Sequence, residues 1–275
     1  MEKEFLQQVD AGERFEFGAN WRTFLNTLND ERISEAEKSL TEMLGKKPAD
    51  GQTFLDIGSG SGLFSLAARK LGYSVYSFDF DKNSVECTRS LKNKYFHSDD
   101  QWVIEEASVL NKKYIAGIDQ FDVVYSWGVL HHTGQMWTAL DNACLPVKPG
   151  GKLFIAIYND QGIQSRIWLF IKKTYNANLF GKLLIKILLI PYFAITFFLF
   201  DLLTLKNPFS RYSEYKKSRG MSIFTDWIDW MGGYPFEVAT PKQIIDFYKE
   251  RGFMTDKIIT TKRHGCNQFV FIKNS

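Results

Sequence analysis

Between residues 53 and 158 the chain alternates short apolar runs with segments of helical periodicity. Strands that alternate with helices form a mostly parallel sheet, because each connecting helix packs back onto a face of that sheet. This rhythm predicts an α/β fold with helices on both faces of the sheet. The strand-like runs are TFLDIG (53–58), SVYSFDF (74–80), WVIEEAS (102–108), FDVVYSW (121–127) and KLFIAIY (152–158), and the helical segments lie at about 61–72, 82–95 and 135–146.

Three segments outside this alternation of strands and helices complete the predicted domain organisation. Residues 1–50 are predicted to form an N-terminal helical cap, and residues 161–238 a large helical, apolar insertion after the fifth strand. Residues 239–275 rejoin the core of residues 51–160, because a helical pattern there precedes the adjacent runs FMTDKIITT and NQFVFIK. Two adjacent strands predict an antiparallel hairpin, which closes a sheet of about seven strands.

Composition excludes several classes of protein. The net charge of +3 is too small to favour nucleic acid, so we expect no DNA partner. The first residues, MEKEFLQQVDAGERFEFG, lack an apolar run that would serve as a signal peptide. The three cysteines, Cys87, Cys144 and Cys266, have no metal-binding spacing. We therefore expect a cytoplasmic protein without a disulfide framework.

The strongest chemical motif is the turn after the first strand, FLDIGSGSGLFSLAARKLG. Glycines there let the backbone approach a ligand closely, and the following helix offers unpaired N–H groups at its N-terminus. Asp56 precedes the glycines in D-x-G-x-G-x-G order, where it would meet a cationic amine rather than a pyrophosphate. Asp79 ends the next strand, where a carboxylate can accept hydrogen bonds from both ribose hydroxyls. A core that binds another nucleotide is the alternative.

With these motifs the chain resembles the class I S-adenosylmethionine-dependent methyltransferases, and it is most similar to the group that contains the ubiquinone-pathway O-methyltransferases. The resemblance covers residues 50–160 well and residues 240–272 loosely. It implies a Rossmann-like fold, S-adenosylmethionine as the cofactor and S-adenosylhomocysteine as the product. Many relatives carry an acid where Ser108 stands. The implied cofactor-binding residues are Asp56, Gly58, Ser59, Gly60 and Gly62 for the methionine part, Asp79 for the ribose, Phe80, Ser108 and Val109 around the adenine, and Ser126 as a further contact.

A second motif, YSWGVLHHTG (125–134), follows the fourth strand, at the sheet edge where ligands bind in open α/β folds. His131 and His132 are candidate catalytic residues, because an imidazole that titrates near neutral pH can accept a proton. The VLH triplet resembles that of small-molecule O-methyltransferases whose catalytic base is this histidine, here His131. The alternative is that either histidine only caps the next helix or fills the wall of a pocket.

The same segment excludes two kinds of chemistry. It lacks the Asn/Asp-Pro-Pro-aromatic motif that methyltransferases of exocyclic amino groups usually carry, which argues against DNA methylation. The nearest acid, Asp141, lies a helix away from the histidines, whereas hard cations such as Mg²⁺ require oxygen ligands. We therefore predict no metal.

Residues that contact the methyl acceptor are predicted at two places. Tyr158 and Asn159 leave the fifth strand toward the same sheet edge and offer hydrogen-bond donors and acceptors. Arg219 and Trp230 lie before the pair Gly232–Gly233, in a segment whose charge, tryptophans and glycines are typical of a lid over a substrate. The alternatives are a local turn for the first pair and an ordinary surface for the second.

The insertion begins with QSRIWLFIKKTYN, which is predicted to be amphipathic. Its apolar residues are Ile167, Phe170, Ile171 and Tyr175, and its polar residues are Arg166, Lys172 and Lys173.

The block KILLIPYFAITFFLF (186–200) raises the question of a membrane. Its uncharged part has fourteen residues, whereas a bilayer span needs about 20, and Pro191 is expected to interrupt or start a helix. We predict that residues 179–205 belong to an acceptor-side cap with peripheral membrane contact. Packing on the core and a homodimer contact are the alternatives.

Together the motifs predict an S-adenosylmethionine-dependent methyltransferase that acts on a hydroxyl of a small-molecule or lipid- or glycan-linked acceptor, with a histidine as general base. It would be cytoplasmic, or peripheral on the inner face of the membrane. Two other functions stay open. One is a protein or tRNA methyltransferase that docks a macromolecule through the basic lid, and the other is a non-catalytic cofactor-binding subunit.

Overall fold

A seven-stranded sheet forms the centre of the protein in a computed structural model that describes residues 2–45, 48–208, 210–211, 223–262 and 265–275. The strand order is β3-β2-β1-β4-β5-β7-β6. The strands are β1 Thr53–Ile57, β2 Ser74–Asp79, β3 Trp102–Glu106, β4 Phe121–Trp127, β5 Val147–Tyr158, β6 Phe253–Ile259 and β7 Cys266–Lys273. The predicted α/β fold is confirmed.

Eleven α-helices surround the sheet in the described part of the chain, and a short 3₁₀ turn, Leu130–His132, follows β4. The helices are α1 Glu2–Asp10, α2 Gly18–Leu25, α3 Asp30–Leu44, α4 Leu63–Leu71, α5 Lys82–Tyr95, α6 Lys112–Gly117, α7 Met136–Cys144, α8 Ile163–Ala177, α9 Leu179–Leu203, α10 Ile223–Gly232 and α11 Pro241–Lys249.

The direction of the strands follows from their connections. β1 to β5 are parallel, because a helix or a long crossover joins each of them to the next. β7 runs antiparallel between β5 and β6, with Lys152 opposite Ile272 and Tyr158 opposite Cys266. The predicted hairpin therefore closes the sheet, and it returns the chain to β5 after the insertion.

Apolar clusters fill both faces of the sheet. α3, α4 and α5 contribute residues such as Leu40, Leu66 and Leu91 to one face. α6, α7 and α11 contribute residues such as Leu140 and Ile244 to the other. Helices on both faces leave the carboxyl ends of the parallel strands as the open edge, where ligands bind in such sheets.

The insertion has a third apolar cluster of its own, built by α8, α9 and α10 around Tyr175, Ile185, Phe193 and Trp227. Among the described residues, α9 is the one helix whose length and apolar character would suffice to cross a bilayer. It continues through Pro191, so the predicted interruption was wrong. The packing of Ile185 and Phe193 on either side holds the helix together where Pro191 removes one backbone hydrogen bond.

The polarity predicted for α8 holds only in part. Tyr175 is buried and Lys173 is exposed, as predicted, but Lys172 is also buried, at 4% exposure, whereas Ile167 and Phe170 are 53% and 69% exposed. The Lys172 ammonium donates a hydrogen bond to the Trp230 carbonyl, 2.7 Å away, inside the insertion. A buried ammonium needs such a partner. The outward side of α8 therefore carries both apolar and basic side chains.

Candidate functional site

The glycine turn after β1 is fixed by sterics. Gly58 has φ of +78°, and a Cβ at this position would lie 2.4 Å from the Val129 side chain. Gly62 has φ of +81°, and its Cβ would lie 2.8 Å from the Thr88 backbone. Only glycine fits both the conformation and the space. The turn thus brings the start of α4 and the loop after β4 to one point on the sheet edge.

Asp79 closes this turn from the neighbouring strand. Its Oδ2 accepts a hydrogen bond from the Gly60 N–H at 2.9 Å, and its Oδ1 accepts one from the Asp81 N–H at 2.9 Å. Burial raises the pKa of Asp79 to about 6. A carboxylate has about four acceptor sites, so Asp79 can still accept from a ligand hydroxyl.

Asp56 lies beneath the turn. It is buried, and it accepts a hydrogen bond from the Ser65 hydroxyl, which also contacts the Ser77 hydroxyl at 2.8 Å. Burial raises the pKa of Asp56 to about 7. The structure therefore places this carboxyl against α4, and its contact with a methionine amine stays a prediction.

The remaining predicted cofactor residues surround the same edge. Ser126 is fully buried and donates a hydrogen bond to the Ile57 carbonyl at 2.9 Å, which ties β4 to β1. The Ser108 hydroxyl accepts from the Leu110 N–H at 3.2 Å within its own turn. Val109 is 6% exposed and packs in the core. These three residues shape the site from below, and their contact with a ligand stays a prediction.

The N-terminal cap covers this edge, which sequence reasoning did not foresee in detail. The Gly18 N–H donates to Asp81 Oδ2 at 2.8 Å. The Arg14 guanidinium lies 5.1 Å from the centre of the Phe80 ring, and a Cβ at Gly60 would lie 3.2 Å from the Trp21 indole. These contacts join residues far apart in the chain, so no local pattern marks them.

The composition of this edge fits S-adenosylmethionine. A glycine turn leads into a helix N-terminus, Asp79 offers acceptors for a diol, and Phe80 offers an aromatic face for a purine. Ser59 lies at the same turn, where its hydroxyl contacts the Thr88 hydroxyl at 2.9 Å.

His132 lies in the 3₁₀ turn after β4, beside the glycine turn. Its Nδ1 is 2.6 Å from the Pro235 carbonyl. Because a carbonyl only accepts, Nδ1 carries the proton and Nε2 keeps its lone pair. Burial and then the charge of Lys172 lower the pKa of His132 to about 3. His132 is therefore neutral at physiological pH.

His131 is fully buried against β5. Its Nδ1 lies 3.4 Å from the Tyr158 N–H, and its ring centre is 4.0 Å from that of Tyr158. Its Nε2 is buried and has no hydrogen-bond partner among the described residues. Burial lowers the pKa of His131 well below its usual value. An unpartnered buried nitrogen is costly, so it marks a point where a ligand group would be stabilised.

Lys172 and Asp229 join the insertion to this site, and sequence reasoning missed both. Burial lowers the pKa of Lys172 to about 7 and raises the pKa of Asp229 to about 7. The Lys172 ammonium lies 5.0 Å from the centre of the Phe236 ring, and the Asn20 amide donates to Asp229. The cap and the insertion therefore meet at the same place.

The predicted acceptor residues have different surroundings. Tyr158 packs on His131 and on Phe236, whose ring centre is 5.3 Å away. The Asn159 amide donates to the Thr261 carbonyl at 3.0 Å, so its side chain is held by a distant segment of the chain. Arg219 lies outside the described residues.

A cleft of about 190 Å³ opens beside Tyr158 and Phe236, between the exit of β5 and α8. Trp230 lies away from it, with its ring 5.9 Å from Phe193 in the cluster of the insertion. The lining residues of the cleft are Asp160, Gly162, Ser165, Arg166, Leu169, Phe236 and Val238.

No group of three or more His, Cys, Asp or Glu side chains with metal-binding geometry occurs in the ranges that the structure describes. The prediction of no metal therefore stays a prediction.

The strand order, the glycine turn after β1 and the acid that ends β2 define a class I S-adenosylmethionine-dependent methyltransferase. Residues 28–209 match the family described as "Methyltransferase domain", and the chain belongs to this family. The resemblance predicted from the sequence is confirmed, and so is S-adenosylmethionine as the cofactor that accompanies this fold.

Similar proteins are ubiquinone biosynthesis O-methyltransferases. The one from Paramagnetospirillum magneticum is 27% identical over 140 residues, which cover 49% of this chain and 54% of that protein. The human mitochondrial one is 28% identical over 148 residues, which cover 49% of this chain and 37% of that protein. The chain thus spans about half the length, or less, of these relatives.

Among solved structures, magnesium protoporphyrin IX methyltransferase from Synechocystis PCC 6803 with bound S-adenosylmethionine is similar, with a TM-score of 0.52. The identity is 10%, over 88% of this chain and 79% of that chain. At this identity the likeness concerns the fold.

Proposed function

We propose that this protein transfers the methyl group of S-adenosylmethionine to a hydroxyl of a small-molecule or lipid-linked acceptor. The observation that carries the proposal is the pair of buried histidines next to the glycine turn, in which Nδ1 of His132 donates to the Pro235 carbonyl and leaves Nε2 as a proton acceptor. Val129, two residues before His131, packs directly on Gly58. A histidine beside the cofactor turn is where a base for an acceptor hydroxyl is expected.

The residues of the site have different roles in the proposed reaction. The turn from Gly58 to Gly62 and the carboxylate of Asp79 bind and orient the cofactor, which supplies a methyl carbon activated by a sulfonium. This carbon would pass to the acceptor oxygen, with the thioether of S-adenosylhomocysteine as the leaving group. The hydroxyl proton would pass to the Nε2 lone pair of His132, whose Nδ1 donates to the Pro235 carbonyl. His131 accepts from the Tyr158 N–H through Nδ1, so its Nε2–H would donate a hydrogen bond to the acceptor. Binding both reactants at one edge supplies much of the rate enhancement.

Burial of the histidines sets the timing of proton removal. Their lowered pKa values keep both rings neutral, so a lone pair is present at physiological pH. The same lowered pKa makes the imidazole a weak base. The proton is therefore removed as the methyl group is transferred, when the acceptor oxygen has become more acidic, and not in an earlier step.

Two observations support a hydroxylated aromatic acceptor. Phe236 lines the cleft and packs on Tyr158, which in turn packs on both histidines, and aromatic side chains suit a flat ring. The similar proteins named above are ubiquinone biosynthesis O-methyltransferases. We propose an acceptor that carries an apolar tail, because the cleft borders α8, on which Ile167 and Phe170 are exposed.

Histidine variants test the base. His131→Ala and His132→Gln are compared with His97→Gln, which changes an exposed histidine outside the site. Formation of S-adenosylhomocysteine is measured with hydroxylated aromatic compounds with and without a polyprenyl tail, and cofactor Kd by calorimetry. At least one of the first two variants should lose about 10²-fold or more in turnover with an unchanged Kd.

Each other result has a clear meaning. Unchanged turnover in both site variants would refute the role of a histidine base. A parallel loss of cofactor binding would assign the histidines to the structure of the site. His97→Gln should keep full activity.

A further inference from the structure

The insertion exposes an apolar surface that no other described part of the chain covers. Only a narrow stripe of α9, which includes Gly181, Ile185 and Phe193, is buried. About half or more of each side chain is exposed along the other sides of the helix, at Phe180, Leu183, Ile187, Tyr192, Ile195 and Leu199. On α8, the exposed side chains of Ile167 and Phe170 extend this surface. Isolated exposed apolar residues are ordinary, whereas a continuous patch marks an interaction site.

The charges of α9 lie toward its two ends. Lys182, which is exposed, and Lys186, which is half-buried, lie at the N-terminal end of the helix, with their ammonium groups 5.6 Å and 6.0 Å from the centre of the Tyr175 ring. Asp201 is the one acidic residue of α9, and it is buried in an ion pair with Arg211. The exposed length from Ile187 to Phe200 is therefore free of charge.

The surrounding chain is strongly basic. From Ile163 to Arg211 it contains seven Lys or Arg residues and one Asp, in a chain whose net charge is +3. The Asp pairs with Arg211 and Lys172 is buried, which leaves four exposed basic residues: Arg166, Lys173, Lys182 and Lys206. Two such surfaces would repel each other across a homodimer. An apolar face bordered by basic residues instead complements a bilayer with anionic headgroups.

The topology decides how α9 meets a bilayer. At about 1.5 Å per residue its 25 residues would be long enough to cross. However, β5 precedes α9, β7 follows it, and the two strands pair in one sheet. A single crossing would place paired strands on opposite sides of the membrane. The helix therefore lies along one surface.

We propose that α8 and α9 are a docking surface for an anionic membrane, with the axis of α9 parallel to the bilayer and its exposed side in one leaflet. Lipid fits better than a second copy or another protein, because the helix is apolar on every side except its packed stripe. A protein partner would cover a single further stripe, whereas acyl chains surround the whole exposed part.

Vesicle flotation of the full chain tests the proposal, with phosphatidylcholine vesicles that contain or lack phosphatidylglycerol. The double variant Ile187→Glu/Ile195→Glu places charge on the surface, and Met254→Glu/Ile258→Glu is the matched control on exposed positions of β6. The wild type and the control should float with anionic vesicles. The α9 variant should lose about 10-fold or more in bound fraction.

A second variant, Lys173→Gln/Lys206→Gln, isolates the electrostatic part. Both residues are exposed next to the apolar surface. This variant should lose the preference for anionic vesicles, and its binding should depend less on salt. Circular dichroism and cofactor binding verify that each variant is folded.

Any of three results would overturn the proposal. The first is that the wild type stays in the soluble fraction with both vesicle types. The second is a wild-type dimer in light scattering that the α9 variant dissociates, and the third is resistance to extraction by alkaline carbonate, which indicates a crossing helix.

Discussion

Lys172 shows how burial sets the chemistry of single residues in this site. Its ammonium has one strong hydrogen bond, to the Trp230 carbonyl, and aromatic rings around it. Removal from water disfavours the charged form, so the pKa of Lys172 is lowered from 10.5 to about 7. Its positive charge also lowers the pKa values of both histidines. One buried lysine thus helps to keep the proposed bases neutral.

This shift predicts a pH dependence of stability. Between about pH 7 and 10.5 the unfolded chain binds a proton at Lys172 that the folded chain does not bind. The free energy of unfolding of the wild type should therefore rise with pH relative to that of Lys172→Met. Loss of the Lys172 charge also raises the pKa of Asp229 in the variant, so the variant loses stability as the pH rises. This adds to the same difference between wild type and variant. Urea unfolding at pH 7 and at about pH 9.5 measures the difference.

Lys173→Met is the control for this prediction, because it removes an exposed lysine one position away. Its stability relative to the wild type should not change with pH in this window. A constant difference between the wild type and Lys172→Met would show that Lys172 is charged in the folded protein throughout.

At the level of elements, α1 and α2 close the cofactor edge from the N-terminal side. The Trp21 indole packs on Gly60, and the backbone of Gly18 is anchored on Asp81. A segment that lies over the glycine turn has either to contact the bound cofactor or to move when the cofactor enters.

Trp21→Ala should therefore weaken cofactor binding, by about 10-fold, because a large aromatic contact area is lost. Trp137→Ala, which removes a partly exposed tryptophan of α7, is the matched control. Calorimetric titration with S-adenosylhomocysteine measures both Kd values. Equal affinity in both variants would mean that the cap contributes no binding energy.

The elements differ in how far the sequence predicts them. The strands and the glycine turn are local patterns, and their order along the chain implies the parallel sheet. α9 was predicted to break at Pro191, because the local cost of a proline is visible in the sequence and the packing of Phe193 is not. The burial of Lys172 in α8 was not predicted, because the carbonyl that stabilises its ammonium belongs to a distant residue.

The residues of the candidate site also differ in how far the sequence predicts them. Asp79, Phe80 and the histidines were named from motifs, and the structure brings them to one edge. The contributions of Trp21 and Lys172 depend on tertiary contacts between segments far apart in the chain. No pattern of residue types within one segment encodes such contacts.

At the scale of the whole molecule, the site lies where three parts meet: the sheet edge, the N-terminal cap and the insertion. The amide of Asn20 in the cap contacts Asp229 in the insertion, and Asn176 of α8 donates to the Gly232 carbonyl. The acceptor side of the site thus depends on the insertion, whereas the cofactor side depends on the sheet and the cap.

Replacing residues 179–205 with a short glycine and serine linker should separate these two functions. Cofactor affinity should be retained, because Asp79 and the glycine turn are untouched, whereas acceptor turnover and vesicle binding should be lost. Calorimetry, S-adenosylhomocysteine formation and flotation measure the three properties. Full activity in a protein that has only lost its membrane affinity would refute a role of α9 in acceptor binding.

The antiparallel pairing of β5 with β7 also bears on how the protein is made. α9 is synthesised after β5 and before the strand that completes the sheet beside it. During translation, the nascent chain therefore exposes an apolar helix and an unpaired edge of β5 at the same time, a state that aggregates or binds chaperones. A membrane surface that binds α9 during translation would protect the nascent chain until β7 is synthesised, so lipid would also assist folding.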